Sequence, residues 1–414
     1  MPGYRTFRWD TCTVVRPEIN WRDRGTDFNV HCWIHHCTTF ELWNIPAGSK
    51  PIDLDRALKV LAEIATWNQI QVVPKEITHI HVAEMIRERM PEPIQGLLRR
   101  QDRAYSFGSM SPDLYYYDIR LPLEKKHNLE LGEIIHGRYG NDNSMHVLWM
   151  LERCVEIKEK NPDSLEPMFA FLCGYLTHVA ADIVFHPYVY SVSGNYYDPD
   201  PRERSTAEGR HRLFETLLDF HILKLRNQSL QDFQLLDRIN PGKHRDNLLQ
   251  FFSKGMSNAN SVKLETMPDL KDIHWITERS FRRSRTMIGL FHNRPLVAGL
   301  NSLNRKMQGK ISHIAYLGYV RNHRATNLLQ FSSLEPTPHP VTGQDYGGPV
   351  PELIERSTER GKEYLDVCWR RISGEASAET ARKVLRPLSL NNGLEKTPTE
   401  EMVHYRIHPA LNVV

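Results

Sequence analysis

His178, Asp182 and His186 recur at four-residue intervals inside the most apolar stretch of a 414-residue chain. On a helix, that spacing stacks two imidazoles and a carboxylate along one face. Burying such groups is costly unless they pair with one another or bind a metal ion. A satisfied His–Asp hydrogen bond in a core would account for His178 and Asp182 taken alone. His211 and Glu215 repeat the pattern at i and i+4, on a face that continues through Leu218 and Ile222. Two neighbouring helices that each present a His-x-x-x-carboxylate pair are a way for helical bundles to hold metal ions in their interiors. Imidazole nitrogen with carboxylate oxygen suits zinc better than magnesium or calcium. Five ligands exceed what one tetrahedral ion needs, so at least two ions are implied.

The elements that must position these groups read as helices. Apolar spacing predicts one over residues 54–67 through Leu54, Leu58, Leu61 and Ile64, and another opening at Thr78. Residues 145–160 form a third, with Lys158 and Lys160 in its last turn and Pro162 closing it. The helix over about 165–185, capped by Ser164 with Pro167 in its first turn, is apolar on nearly all sides, which marks a buried element. Pro187 is expected to end it. Ser205-Thr206-Ala207-Glu208 is a capping-box pattern that opens a helix to about residue 226. A last amphipathic helix carries Leu353, Ile354, Tyr364, Leu365 and Cys368. Residues 1–50 read as irregular and 105–123 as a loop. Alternating strands are scarce, so the class is all-α. The expected organisation is an N-terminal extension over 1–75, a helical domain over 76–375 and a C-terminal tail over 376–414, whose last twenty residues have the composition of a disordered segment.

Composition narrows the function. The 53 basic and 50 acidic side chains leave a net charge of +3, too small an excess for a dedicated nucleic-acid binder. No conventional spanning helix and no cleavable signal peptide are read from the pattern. Six cysteines are too few for a disulfide scaffold. His31 to Cys37 holds sulfur and imidazole at a spacing that matches no standard zinc pattern, so a reduced pair is favoured. Arg279, Arg282, Arg283 and Arg285, with Lys306 and Lys310, suit anionic lipid heads or nucleic acid, but a solvated helix face is the expected reading.

The ordered set Phe171-Leu-Cys-Gly-Tyr-Leu-Thr-His178-Val-Ala-Ala-Asp182-Ile-Val-Phe-His186-Pro187, then His211-Arg-Leu-Phe-Glu215, resembles the zinc-dependent phospholipase C family. Ile77 to Ala83 resembles the segment with the family's first ligand histidine. Gly108 to Asp113 resembles its Gly-x-x-x-Pro-Asp loop, and Leu131 to Gly137 the segment with the next histidine. A weaker echo at His339 to Gly343 suggests that the same domain continues to about residue 375. The resemblance implies a helical phospholipase C/nuclease-like bundle with two or three Zn2+ ions. One ion would be held by His136, His178 and Asp182, and a second by His186, His211 and Glu215. A third would be shared by Asp182 and His79, with His81 the competitor for that histidine. In secreted members a free terminal amine completes the third ion, whereas here 78 residues precede His79. Asp113 takes the place of the carboxylate that orients or deprotonates the attacking water.

The implied activity is hydrolysis of the glycerol–phosphate ester of phospholipids, with phosphatidylcholine the expected substrate and a membrane surface the expected partner. Tyr115, Tyr116 and Tyr188, with Tyr117, Tyr190, Tyr196 and Tyr197, are candidates to face a quaternary ammonium headgroup. Two other readings are a single-strand nuclease of the same fold and a non-catalytic membrane-binding module with structural zinc. The expected location is the bacterial cytoplasm, or export as an effector without a cleaved signal peptide.

Overall fold

The computed structural model describes four strands within residues 6–41, then residues 76–118, 129–259, 272–307, 315–316, 318–319 and 330–412. The predicted helix over 54–67 lies outside these residues, as do the side chains of His31–Cys37 and Lys310. The chain divides into two units, Met1–Thr66 and Trp67–Val414. In the first, β1 (Thr6–Trp9), β2 (Cys12–Ile19), β3 (Val30–Ile34) and β4 (Thr39–Glu41) form an antiparallel meander. This corrects the irregular reading of residues 1–50. The strands are rich in Thr, Val, Ile, Phe and Trp, which favour a pleated backbone. The register between β2 and β3 shifts between Val15 and Glu18, where Pro17 has no N–H to give a ladder.

The second unit is helical. Its elements are α1 (Glu76–Glu88), α2 (Glu92–Arg100), α3 (Asp102–Gly108), α4 (Leu129–Ile135), α5 (Met145–Lys160), α6 (Leu165–Ser193) and α7 (Pro201–Leu225). They are followed by α8 (Arg245–Ala259), α9 (Ile273–Phe291), α10 (Arg294–Lys306), α11 (Val350–Ser373) and α12 (Ala378–Val384). A two-residue ribbon pairs β5 (Thr337–Pro338) with β6 (Asp345–Tyr346). The all-α class holds for this unit.

The apolar α6 is the hub, packed against α1, α3, α5, α7 and α11. By composition it is long and apolar enough to cross a membrane, yet 89% of its apolar window is buried inside the protein. Phe169, Phe171, Leu172, Tyr175 and Leu176 are wholly covered. Each such side chain contributes about 1.5–3 kcal/mol by leaving water, which offsets the burial of polar groups on the same helix. The crossing with α3 is unusually close. A Cβ on Gly174 would stand 2.0 Å from the Tyr105 carbonyl oxygen, and one on Gly108 would stand 2.2 Å from that of Phe171.

Pro187 does not end α6. The helix runs on to Ser193, although proline leaves the Ile183 carbonyl without its i+4 donor. The Tyr346 hydroxyl takes that place, reaching the carbonyls of Ile183 at 3.4 Å and Val184 at 2.9 Å. Likewise α7 starts one turn before the capping-box reading, with Asp200 accepting from the Arg202 N–H and Pro201 at the first helical position. The stretch read as a loop over 105–123 holds the end of α3 and a 3-10 helix, Ser111–Tyr117.

The arginine-rich α9 is not simply a solvated face. Arg279 is buried and grips Asp118 through two hydrogen bonds of 2.6 and 2.5 Å, Arg283 adds a third at 3.2 Å, and Arg285 donates to the Leu236 carbonyl. Asp118 directly follows the 3-10 helix that carries Asp113, so this pair anchors α9 to it. The stretch from 376 to 412 is no loose tail either. It bonds back to the body at Leu390 N to His136 O, Thr399 N to Arg138 O, Arg406 N to Ser191 O and His408 N to Val192 O.

Candidate metal centre

All eight residues expected at a metal site or its water meet in one buried volume, none more than 5% exposed. α6 supplies His178, Asp182 and His186, while α7 supplies His211 and Glu215. His79 comes from α1, Asp113 from the 3-10 helix, and His136 from the turn after α4.

Asp182 is the hinge of the arrangement. Its Oδ2 lies 2.9 Å from His178 Nε2 and 3.5 Å from His136 Nε2, while its Oδ1 lies 3.4 Å from His79 Nε2 and 3.7 Å from His186 Nε2. Asp113 Oδ1 joins the first set, 3.2 Å from His136 Nε2 and 3.7 Å from His178 Nε2. In the second set, Glu215 Oε1 lies 3.0 Å from His211 Nε2 and 3.6 Å from His186 Nε2. Two donors bound about 2.0–2.1 Å from one tetrahedral ion stand roughly 3.4 Å apart, the scale of these separations.

The orphaned atoms agree. Asp113 Oδ1, His136 Nε2, His178 Nε2 and Asp182 Oδ2 are all buried without a hydrogen-bond partner. Leaving such groups unpaired is strongly destabilising in a core, and a cation among them would serve all four. The imidazoles are also set for metal binding from behind. His136 Nδ1 donates to the Gly132 carbonyl at 2.8 Å, His178 Nδ1 to that of Ser109 at 2.9 Å, and His186 Nδ1 to that of Leu390 at 2.8 Å. With Nδ1 carrying the proton, each Nε2 turns its lone pair inward. The close α3–α6 crossing is what brings the Ser109 carbonyl within reach of His178.

The groups of three or more potential ligands among the described residues are Asp113, His136, His178 and Asp182, then His186, His211 and Glu215. Asp113 therefore sits among the ligands of the first group, a placement the sequence reading did not give it. His79 stacks on His178 with ring centres 3.9 Å apart and meets Asp182, but forms no third such group. His81 points elsewhere, its Nδ1 accepting from Arg226 at 3.2 Å.

The tyrosines divide. Tyr115 is fully buried, bonded to Thr277 and stacked on Phe252, and Tyr188 packs on Phe214 with its hydroxyl on the Glu335 carbonyl. These two are packing residues in this arrangement. Tyr116 lies 5.0 Å from the His136 ring, and Tyr190 and Tyr196 lie 4.8 and 5.3 Å from His211.

Residues 78–261 match the model of the zinc dependent phospholipase C family. That match agrees with the resemblance carried by the ordered histidine and carboxylate motifs. No curated protein and no solved structure gives a significant match to the chain. The family is one of hydrolases, and every donor above lies inside the matched segment. The donor chemistry fits a metal of the zinc type. Imidazole and carboxylate only, no thiolate, and two buried sets joined through one carboxylate would hold two ions side by side.

Protons compete with metal here. Burial alone would disfavour a charged His136, but the neighbouring carboxylates of Asp113 and Asp182 outweigh it and push the metal-free imidazole up to about 10. His186 is pushed up to about 8, with burial opposed by the Asp182 charge and the Glu215 hydrogen bond. A raised pKa stabilises the fold fully below the unfolded value near 6.5, and that contribution is lost as pH climbs through the folded value. The melting temperature of the chelated protein should therefore fall between about pH 6.5 and 10, while zinc affinity rises over the same window. Thermal melts of metal-free and metal-loaded protein across that range check this. A metal-free melting temperature that climbs throughout would contradict it.

Proposed function

We propose that this protein is a zinc metallophospholipase C that hydrolyses the glycerol–phosphate ester of phospholipids, phosphatidylcholine among them, to diacylglycerol and a phosphorylated headgroup. The observation that carries this reading is the division of Asp182 between two converging donor sets, within a segment of the matching family. Zinc bound there would supply an acidified water and neutralise the charge that builds on phosphate oxygens. His136, His178, Asp182 and Asp113 would hold one ion, and His186, His211 and Glu215 another, with His79 turned toward Asp182. Asp113, with one oxygen in the first set, also aligns the attacking water with the phosphorus, opposite the departing diacylglycerol oxygen. Solvent returns a proton to that leaving oxygen. Tyr116, Tyr190 and Tyr196, set against the cluster histidines, offer aromatic faces to a quaternary ammonium headgroup.

The test is hydrolysis of phosphatidylcholine in mixed micelles, with denatured DNA as a parallel substrate. Expected are diacylglycerol and phosphocholine, lost with a chelator at unchanged helical content and restored by zinc, with the DNA left intact. Full turnover in chelator would refute the metal-dependent reading, and cleavage of the DNA alone would move the activity to nucleic acid.

A further inference from the structure

The loop Ser389-Leu390-Asn391-Asn392-Gly393-Leu394 lies far outside the family-matched segment, yet it is inserted against the metal centre. Its composition is that of a surface turn, and connecting loops normally stay in water because their polar groups need partners. Here Ser389, Leu390, Asn391 and Asn392 are all buried. The turn is closed by Ser389 N to Leu394 O at 2.9 Å and Gly393 N to Ser389 O at 2.7 Å. Gly393 has φ +71°, and a Cβ there would meet the Ile183 carbonyl oxygen at 2.7 Å, so the loop rests directly on α6.

Its contacts with the site are specific. The Leu390 carbonyl receives His186 Nδ1, and the Leu390 N–H and Ser389 hydroxyl both donate to the His136 carbonyl. Asn392 is satisfied, giving its amide to Thr397 O and accepting from Leu394 N. Asn391 is the exception. Its Oδ1 accepts from the Tyr190 hydroxyl at 3.2 Å, while its Nδ2 is buried with no partner. The Tyr190 ring lies against both His211 and His186. An amide nitrogen without a partner is thus buried one residue from the carbonyl that receives His186 and bonded to the tyrosine that packs on His211.

We infer that Asn391 is a substrate-binding residue whose amide donates to a non-bridging oxygen of the phosphate ester at the metal centre. The inference rests on the proposed phosphodiester chemistry, but its test does not require turnover. A neutral donor suits this place, because the ions already balance the phosphate charge and the amide adds direction. The loop that carries it also orients His186, so one insertion serves ligand and substrate.

The probe is inorganic phosphate, titrated calorimetrically into the zinc-loaded full chain, with zinc content measured on each sample. Asn391→Ala and Asn391→Asp should keep the wild-type zinc content and weaken phosphate binding by roughly tenfold or more, the scale for a hydrogen bond to a charged group. The Asp variant keeps an acceptor for Tyr190 at the same shape, and its carboxylate should repel phosphate, so its loss should be the larger. Should the Ala variant fail to fold, the Asp variant decides. Phosphate affinity within twofold of wild type in the folded variants would overturn the inference. So would loss of zinc on substitution, which would make the role structural, or a zinc-loaded wild type that binds no phosphate. A wild type that binds phosphate with the expected Asn391 dependence but leaves phospholipid intact would sink only the phospholipase reading.

Discussion

Asp182→Asn is expected to strip metal from both halves of the centre and to lower phospholipid turnover by on the order of 10³-fold. The substitution keeps the shape of a side chain that is almost wholly buried. It replaces one carboxylate oxygen with an NH2 that must face either the His178 and His136 pair or the His79 and His186 pair. Neither pair, with lone pairs turned inward, leaves an ion the anionic oxygen it needs. Because this one carboxylate belongs to the first donor group and also stands 3.7 Å from His186 of the second, losing it should deplete zinc beyond a single equivalent. Elemental analysis after dialysis, alongside the micelle assay, reads both effects. Wild-type metal content with wild-type turnover would remove the basis of the functional reading.

The second large effect is expected at Gly174, one helical turn before His178. Gly174→Ala should lower the melting temperature by roughly 5–10 °C and weaken zinc binding by about 10- to 100-fold. The new methyl group would meet the Tyr105 carbonyl oxygen at 2.0 Å and the Ser109 nitrogen at 2.9 Å, both backbone atoms that no rotamer change can move. α3 must back away from α6, and the Ser109 carbonyl then leaves His178 Nδ1. Gly299→Ala in α10 is the control, because a methyl group there has no atom within 4 Å and should cost nothing. Melting curves and zinc titration of the two variants separate the effects. Equal behaviour of the two would show that the close crossing has no role in the centre.

The candidate donors on α6 and α7 were readable because each pair obeys helical spacing. His178, Asp182, His186, His211 and Glu215 thus declare themselves without knowledge of the tertiary fold. The choice between His79 and His81 needed the packing of α1 on α6, since both flank Ile80 on the same helix. Asp113 as a member of the first donor set was not legible, because a 3-10 turn has no apolar period to show which way its carboxylate faces. Tyr115 and Tyr188 were indistinguishable in sequence from Tyr190 and Tyr196. Only the partners of their hydroxyls, Thr277 and the Glu335 carbonyl, show that they pack the interior. The burial of the segment after 376 was not legible either. Ser, Asn and Gly in a row carry the signature of an exposed turn, and its burial depends on carbonyls of His136 and residues of α6 some 200 positions away.

The Tyr346 hydroxyl that serves the carbonyls beside Pro187 has a mechanical meaning. Without a donor at that rung, the stretch from His178 to Asp182 and the turn beyond His186 would be two short levers meeting at a joint. Bridged from outside, the helix runs unbroken past Pro187 to Ser193, and His178, Asp182 and His186 keep one face of a single rod.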